Sequence, residues 1–129
     1  ILVVTTPQIA AAEVAERAGR IAHQLKQHIV GVVENMSDIN CPHCGKSISL
    51  FGSGGGLETA KRLSNLVGAD VPLLATVPFD PELREGGDGG LPIVLAKPDS
   101  HSAVAIYSIV DQLMQQRKSL VGTPLKLHT

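Results

Sequence analysis

Aromatic side chains are scarce in this chain, which has two phenylalanines, one tyrosine and no tryptophan among 129 residues. Its formal net charge at pH 7 is −1, and its basic residues are scattered along the sequence. Proteins that bind nucleic acid usually combine concentrated positive charge with aromatic stacking platforms. The composition therefore predicts no nucleic-acid partner.

Long apolar runs are also missing. No stretch approaches the ~20 residues that a membrane-spanning helix needs, and no signal-peptide pattern is present. The only two cysteines are spaced as CxxC and do not form the disulfide framework of a small secreted domain. We therefore expect a cytoplasmic protein with no membrane partner.

An initiator methionine is absent, and the chain begins Ile1-Leu2-Val3-Val4 in the pattern of a buried strand. This start predicts a fragment of a longer protein. The length suits one domain or part of one, and 43% hydrophobic content can supply a core. We expect residues 1–120 to be the C-terminal part of a single domain. Residues 121–129 show no periodicity and are expected to form a disordered tail.

The two cysteines lie in the motif Cys41-Pro42-His43-Cys44-Gly45. Thiolates favour zinc, copper(I) or iron–sulfur clusters, and such sites need about four ligands. Because the chain has no other cysteine, a second copy related by a two-fold axis is the simplest source of the other two. The motif predicts half of a metal site, and His43 between the cysteines is expected to be exposed.

Other functions of the CxxC motif stay open. CPHC also occurs in thiol–disulfide oxidoreductases, where the motif normally opens a helix whose dipole lowers the thiol pKa. Here a glycine follows at once, and residues 46–51 alternate between polar and apolar as in a short strand. This pattern favours a hairpin that binds metal or a cluster over a redox centre or inert thiols.

Buried strands alternate with amphipathic helices along the chain. The patterns predict strands over 1–6, 29–33 and 71–78, and helices over 7–26, 57–67 and 100–118, the first of them capped by Thr6 and Pro7. Residues 85–90 are predicted to be a loop and 91–95 an edge strand. The fold class is therefore α/β, a mostly parallel sheet flanked by helices with a CxxC hairpin inserted after the second strand.

Two helix faces are predicted to be buried core because their apolar residues recur at helical spacing. They comprise Val14, Ala18, Ile21 and Leu25 on the first helix and Val104, Tyr107, Val110, Leu113 and Met114 on the last.

Polar residues follow two of the predicted strands. Glu34 and Asn35 come after the second, and Asp80 follows Pro78 after the third. Open α/β sheets bind ligands at this carboxyl edge. The glycine-rich run 52–56 precedes a helix but lacks the Lys-Ser/Thr of a P-loop, so a connector is favoured over an anion site.

Several motifs together carry a family resemblance. They are Thr5-Thr6-Pro7-Gln8, the segment GVVENMS at 31–37, CPHCG at 41–45, Phe51-Gly52, VPFDP at 77–81 and REGGD at 84–88. In this order and spacing they resemble the C-terminal portion of the Mrp/ApbC family of P-loop ATPases, relatives of MinD and the nitrogenase iron protein. The resemblance covers residues 1 to about 117 and implies part of a Rossmann-like P-loop NTPase fold.

The resemblance implies a homodimeric, ATP-binding carrier that transfers a [4Fe–4S] cluster to apo iron–sulfur proteins. Cys41 and Cys44 would be its ligands, two from each subunit. Asn35, Pro78 and Asp80 would form the adenine end of the nucleotide site, where an amide can offer a base both a donor and an acceptor.

One departure from the family concerns catalysis. The Walker A loop and the aspartates that handle Mg²⁺ would precede Ile1, so we expect no ATP hydrolysis by this chain alone and assign it no catalytic residue. A zinc-bound dimerisation or regulatory module of a MinD-like ATPase and a CPHC oxidoreductase are the alternatives. The roles of Glu34 and Asp88 stay open between switch or interface groups and loop hydrogen bonding.

Overall fold

The computed structural model describes residues 1–116, which contain five strands and five helices. The strands are β1 (Leu2–Thr5), β2 (Gly31–Glu34), β3 (Ile39–Asn40), β4 (Ser47–Ile48) and β5 (Leu73–Thr76). The helices are α1 (Ile9–Gln24), α2 (Gly55–Val67), α3 (Pro81–Gly89), α4 (Ile93–Ala96) and α5 (His101–Gln116). The predicted end of the last helix, 117–118, and the predicted tail, 121–129, lie outside the described residues.

Three strands form a parallel sheet in the order β1-β2-β5. The register pairs Thr5 with Glu34 and Glu34 with Thr76, so the three strands end at one edge. All four residues of the central strand β2 are buried, as in a parallel sheet that is covered on both faces. The predicted α/β fold with a parallel sheet is confirmed.

The CxxC segment forms a separate antiparallel hairpin. Ile39 pairs with Ile48 and Asn40 with Ser47 in a two-stranded sheet of its own. This hairpin leaves the main sheet directly after β2 and returns to it through α2. The predicted position of the insertion is therefore confirmed.

Helix α1 differs from the prediction in its start and in its buried face. It begins at Ile9, and Gln8 rather than Thr6 occupies the N-cap position. The predicted core residue Val14 is 67% exposed. Small residues are buried instead: Ala12, Ala15, Gly19 and Ala22.

Close packing against α2 explains this choice of face. A Cβ placed on Gly19 would lie only 2.1 Å from Cδ2 of Leu63, so only small side chains fit between the two helices. Val14 and Ala18 lie to one side, where they line an open apolar groove together with β1.

Helix α5 also buries less of its apolar stripe than predicted. Val104, Tyr107, Val110 and Met114 are roughly half exposed, whereas Ser102, Ala103 and Ile109 are buried. Leu113 is partly buried against the core formed by Val33, Leu74, Val77 and Ile109. The helix packs against β5 and α4.

The segment between β5 and α5 is helical, and both predictions made for it are wrong. Residues 85–89 belong to α3, and residues 93–95 belong to the single turn α4 rather than to a strand. Asp80 caps α3, Pro81 occupies its first turn, and Gly90 ends it at φ +73°. These strong start and stop signals outweigh the low helix propensity of the glycines between them.

No helix within residues 1–116 is long and apolar enough to cross a membrane.

Candidate functional site

The carboxyl edge of the sheet carries a cavity of about 280 Å³. It brings together the three residues predicted for the adenine end of a nucleotide site, Asn35, Pro78 and Asp80. Met36, Phe79, Leu83 and Arg84 complete its lining. One polar amide among largely apolar walls suits a flat heteroaromatic ring.

Asn35 is held in place by hydrogen bonds to two neighbouring backbone groups. Its N–H donates to the Thr5 carbonyl at 2.8 Å, and its Oδ1 accepts from the Met36 N–H at 2.8 Å. Met36 itself has a left-handed conformation at φ +58°. No residue among those described accepts a hydrogen bond from Asn35 Nδ2, so this group is free to donate to a ligand.

Asp80 has structural partners for both carboxylate oxygens. Oδ1 accepts from the Glu82 N–H at 2.9 Å as the cap of α3, and Oδ2 accepts from the Ser102 hydroxyl at 2.7 Å. The residue therefore joins α3 to α5. Its contact with a base stays a prediction.

Leu83 and Arg84 were not predicted to belong to the site. Both lie in the first turn of α3, just before residues 85–90, for which the sequence predicts a loop. Arg84 is exposed and pairs with Glu85 at 3.0 Å. The VPFDP motif, with aspartate before proline, was the signal that could have predicted this helix.

The CxxC hairpin holds its cysteines in a tight turn. The Cys41 N–H donates to the Lys46 carbonyl at 2.9 Å, and the Gly45 N–H donates to the Cys41 carbonyl at 2.8 Å. Gly45 has φ +69°, a conformation that explains glycine at this position. Cys41 is half-buried, whereas Cys44 and His43 are exposed, as expected for His43.

The turn favours the thiolate form of Cys41. The backbone N–H of His43 lowers the pKa of Cys41, and the N–H and thiol of Cys44 add to this effect. The thiolate is the form that binds metal. Neither cysteine opens a helix, so the helix-dipole arrangement of redox CxxC motifs is not the cause of this shift.

A complete metal site is not formed within one copy. Among residues 1–116, no group of three or more histidine, cysteine or acidic side chains is arranged to hold a metal ion. The hairpin therefore offers two soft ligands at an exposed tip, and a tetrahedral thiolate site would need two more from outside.

Glu34 is the last residue of β2 and is only 5% exposed. Its Oε2 accepts from the Gly56 N–H at 2.6 Å, in the first turn of α2. The Glu34 carboxylate thus lies at the N-terminus of α2, where the helix dipole favours a negative charge. Asp88, the other unassigned acidic residue, is exposed on α3.

The parallel sheet flanked by helices corresponds to part of a P-loop NTPase fold of the MinD type. The MinD cell division ATPase of Pyrococcus furiosus superimposes with a TM-score of 0.61 at 26% identity, over 90% of this chain and 42% of MinD. MinD of Aquifex aeolicus, at 18% identity, has the same fold with a TM-score of 0.60 over 92% of this chain and 44% of its own.

The ParA family described as NUBPL iron-transfer P-loop NTPase matches residues 1–114. The chain belongs to this family, which confirms the resemblance expected from its motifs.

Curated relatives carry the name iron-sulfur cluster carrier protein. That of Mycobacterium tuberculosis is 56% identical over 127 residues, which are 98% of this chain and 33% of the relative. That of Synechocystis is 42% identical over 113 residues, 87% of this chain and 30% of the relative. The chain thus spans about one third of the length of these curated relatives.

Proposed function

We propose that this chain is the cluster-holding part of a cytoplasmic iron–sulfur cluster carrier. In this proposal the CxxC hairpins of two copies hold a [4Fe–4S] cluster between them and release it to apo iron–sulfur proteins. The observation that carries the proposal is the exposed hairpin tip, which offers two thiols and no third ligand within residues 1–116. The names of the curated relatives support the same cargo.

ATP would bind to the complete protein at the carboxyl edge of the sheet. Asn35 would donate to the adenine ring through its free Nδ2, and Pro78 and Phe79 would pack against the ring. The 129 residues contain no phosphate-binding lysine motif, so Mg²⁺, the phosphates and hydrolysis would depend on the rest of the protein.

Anaerobic reconstitution with iron and sulfide tests the proposed cargo. We expect a brown protein that absorbs in the visible and contains one cluster per two chains, with the native mass of a dimer. Iron and sulfide analysis together with native mass spectrometry measure both quantities.

The two alternatives give different results in the same experiment. A colourless protein that retains zinc after exposure to iron and sulfide would replace the carrier with a zinc-bound dimerisation module. A metal-free monomer that turns over disulfide substrates would favour the oxidoreductase instead.

Asn35→Ala in the complete protein should weaken ATP binding about tenfold, because one buried hydrogen bond to the base and its pre-formed geometry are lost. Cluster content in the absence of ATP should not change, since Cys41 and Cys44 lie outside the cavity. Isothermal titration with ATP and iron analysis of the same samples measure the two effects.

Asn35→Asp is a second variant that tests the same hydrogen bond with a side chain of nearly the same shape. Aspartate keeps the oxygen that accepts from the Met36 N–H but cannot donate to the base. It should therefore weaken ATP binding about as much as alanine does. If both variants bind ATP like the wild type, the adenine assignment is wrong.

A further inference from the structure

We infer that Asp38 is a positioning residue that connects the base cavity to the CxxC hairpin, so that occupancy of one site changes binding at the other. This inference rests on the proposed function and concerns how its two sites communicate. Asp38 lies three residues after Asn35 and three before Cys41, midway between the two sites along the chain.

The side chain of Asp38 holds the returning strand of the hairpin. Its Oδ1 accepts from the Ser49 hydroxyl at 2.7 Å, and its Oδ2 accepts from the Ser47 hydroxyl at 2.8 Å. These hydrogen bonds, that from Ser49 first, lower the pKa of Asp38, so the carboxylate is ionised at neutral pH. This carboxylate therefore joins the returning strand to the segment that precedes the hairpin.

The backbone of Asp38 holds the wall of the base cavity. Its carbonyl accepts from the Phe79 N–H at 3.0 Å. The neighbouring Ser37 donates to the Val77 carbonyl twice, from its N–H at 3.0 Å and from its hydroxyl at 3.1 Å. The segment that carries Asp38 is thereby fastened to the turn that follows β5.

Phe79 lies between the two sites. It lines the base cavity with Asn35, and it also lines a second cavity whose other side is formed by Ile39, Asn40 and Pro42 of the hairpin. Its ring packs against that of Phe51, just beyond the hairpin, with centroids 6.0 Å apart. A ligand that shifts Phe79 would therefore act on the hairpin through Asp38 and Phe51.

Coupling between two sites is reciprocal, so it can be measured from the ATP side. In the complete wild-type protein, the dissociation constant for ATP should differ by about 5-fold or more between cluster-loaded and cluster-free samples, as is usual for coupled sites. Asp38→Ala should bring this ratio to within about twofold of one. Both sites should still bind, because Asp38 contacts neither ligand.

Further variants separate coupling from simple damage to the hairpin. The double variant Ser47→Ala/Ser49→Ala removes the same two hydrogen bonds while Asp38 stays in place. Like Asp38→Ala, it should bring the ratio of the ATP dissociation constants to within about twofold of one. Asp38→Asn keeps one acceptor oxygen, so it should retain part of the difference in ATP affinity between cluster-loaded and cluster-free samples. Asp70→Ala removes an exposed carboxylate that lines a different cavity and should leave the ratio at the wild-type value.

The outcomes distinguish this inference from the proposed function. If the wild-type ratio is one, or if it survives both Asp38→Ala and the double serine variant, Asp38 does not connect the sites. If the wild type binds no cluster or no ATP, the proposed function itself fails.

Discussion

Cys41→Ser should abolish both the bound cluster and the dimer that it bridges. Each copy would then offer a single thiolate, which leaves the shared site with two of its four ligands. We expect reconstituted samples to fall from one cluster per two chains to none, and the native mass to become that of a monomer. Visible absorption, iron and sulfide content and native mass spectrometry measure these losses.

Cys44→Ser should have the same effect, and neither change should unfold the domain, because Cys41 and Cys44 lie outside both hydrophobic cores. His43→Ala is the matched control within the motif, since His43 is exposed and is not expected to be a ligand. Circular dichroism checks the fold of each variant. Dimers that persist in Cys41→Ser would rule out a bridging cluster, and cluster loss in His43→Ala would make His43 a ligand.

Gly55→Ala should destabilise the domain more than most single substitutions. A Cβ at this position, at the start of α2, would lie 2.5 Å from the Pro7 carbonyl oxygen and 2.6 Å from that of Thr6. Both contacts are with backbone, which cannot rotate away, so α2 would have to move. We expect a loss of about 2–3 kcal/mol in the free energy of unfolding, as for other overpacked sites. The melting temperature should fall by roughly 10 °C.

Gly87→Ala is the control for this change. Gly87 lies inside α3, and a Cβ there would contact no other atom within 4 Å. Alanine should leave the stability unchanged or raise it by up to about 1 kcal/mol through its higher helix propensity. Thermal and urea unfolding of both variants provide the comparison. Equal melting temperatures would show that the approach of α2 to the Thr6–Pro7 backbone is not tight.

The strands and the meeting of Asn35 and Pro78 at one edge of the sheet could be predicted because their signals are local. The β-branched run before Glu34 fixes a buried strand, and parallel strands that end together bring Asn35 and Pro78 to one cavity. The hairpin also follows from local sequence, since Gly45 and the alternation after it are hairpin features.

The buried helix faces could not be predicted from periodicity alone. Periodicity singles out large apolar residues such as Val14, whereas packing between close helices selects alanine and glycine, as Gly19 against Leu63 shows. The hydrogen bonds of Asp38 could not be predicted either, for a different reason. Its hydrogen bonds join residues 9 and 11 positions apart across the hairpin, and no short motif encodes that distance.

The hairpin sheet and the main sheet share no strand. In small zinc domains the metal drives folding, and its removal unfolds the chain. Here the three strands of the main sheet pair without the hairpin, so in the proposed carrier the binding and release of a cluster would not be tied to folding and unfolding of the domain. A carrier built in this way would lose and regain its cluster without unfolding, as successive rounds of delivery would require.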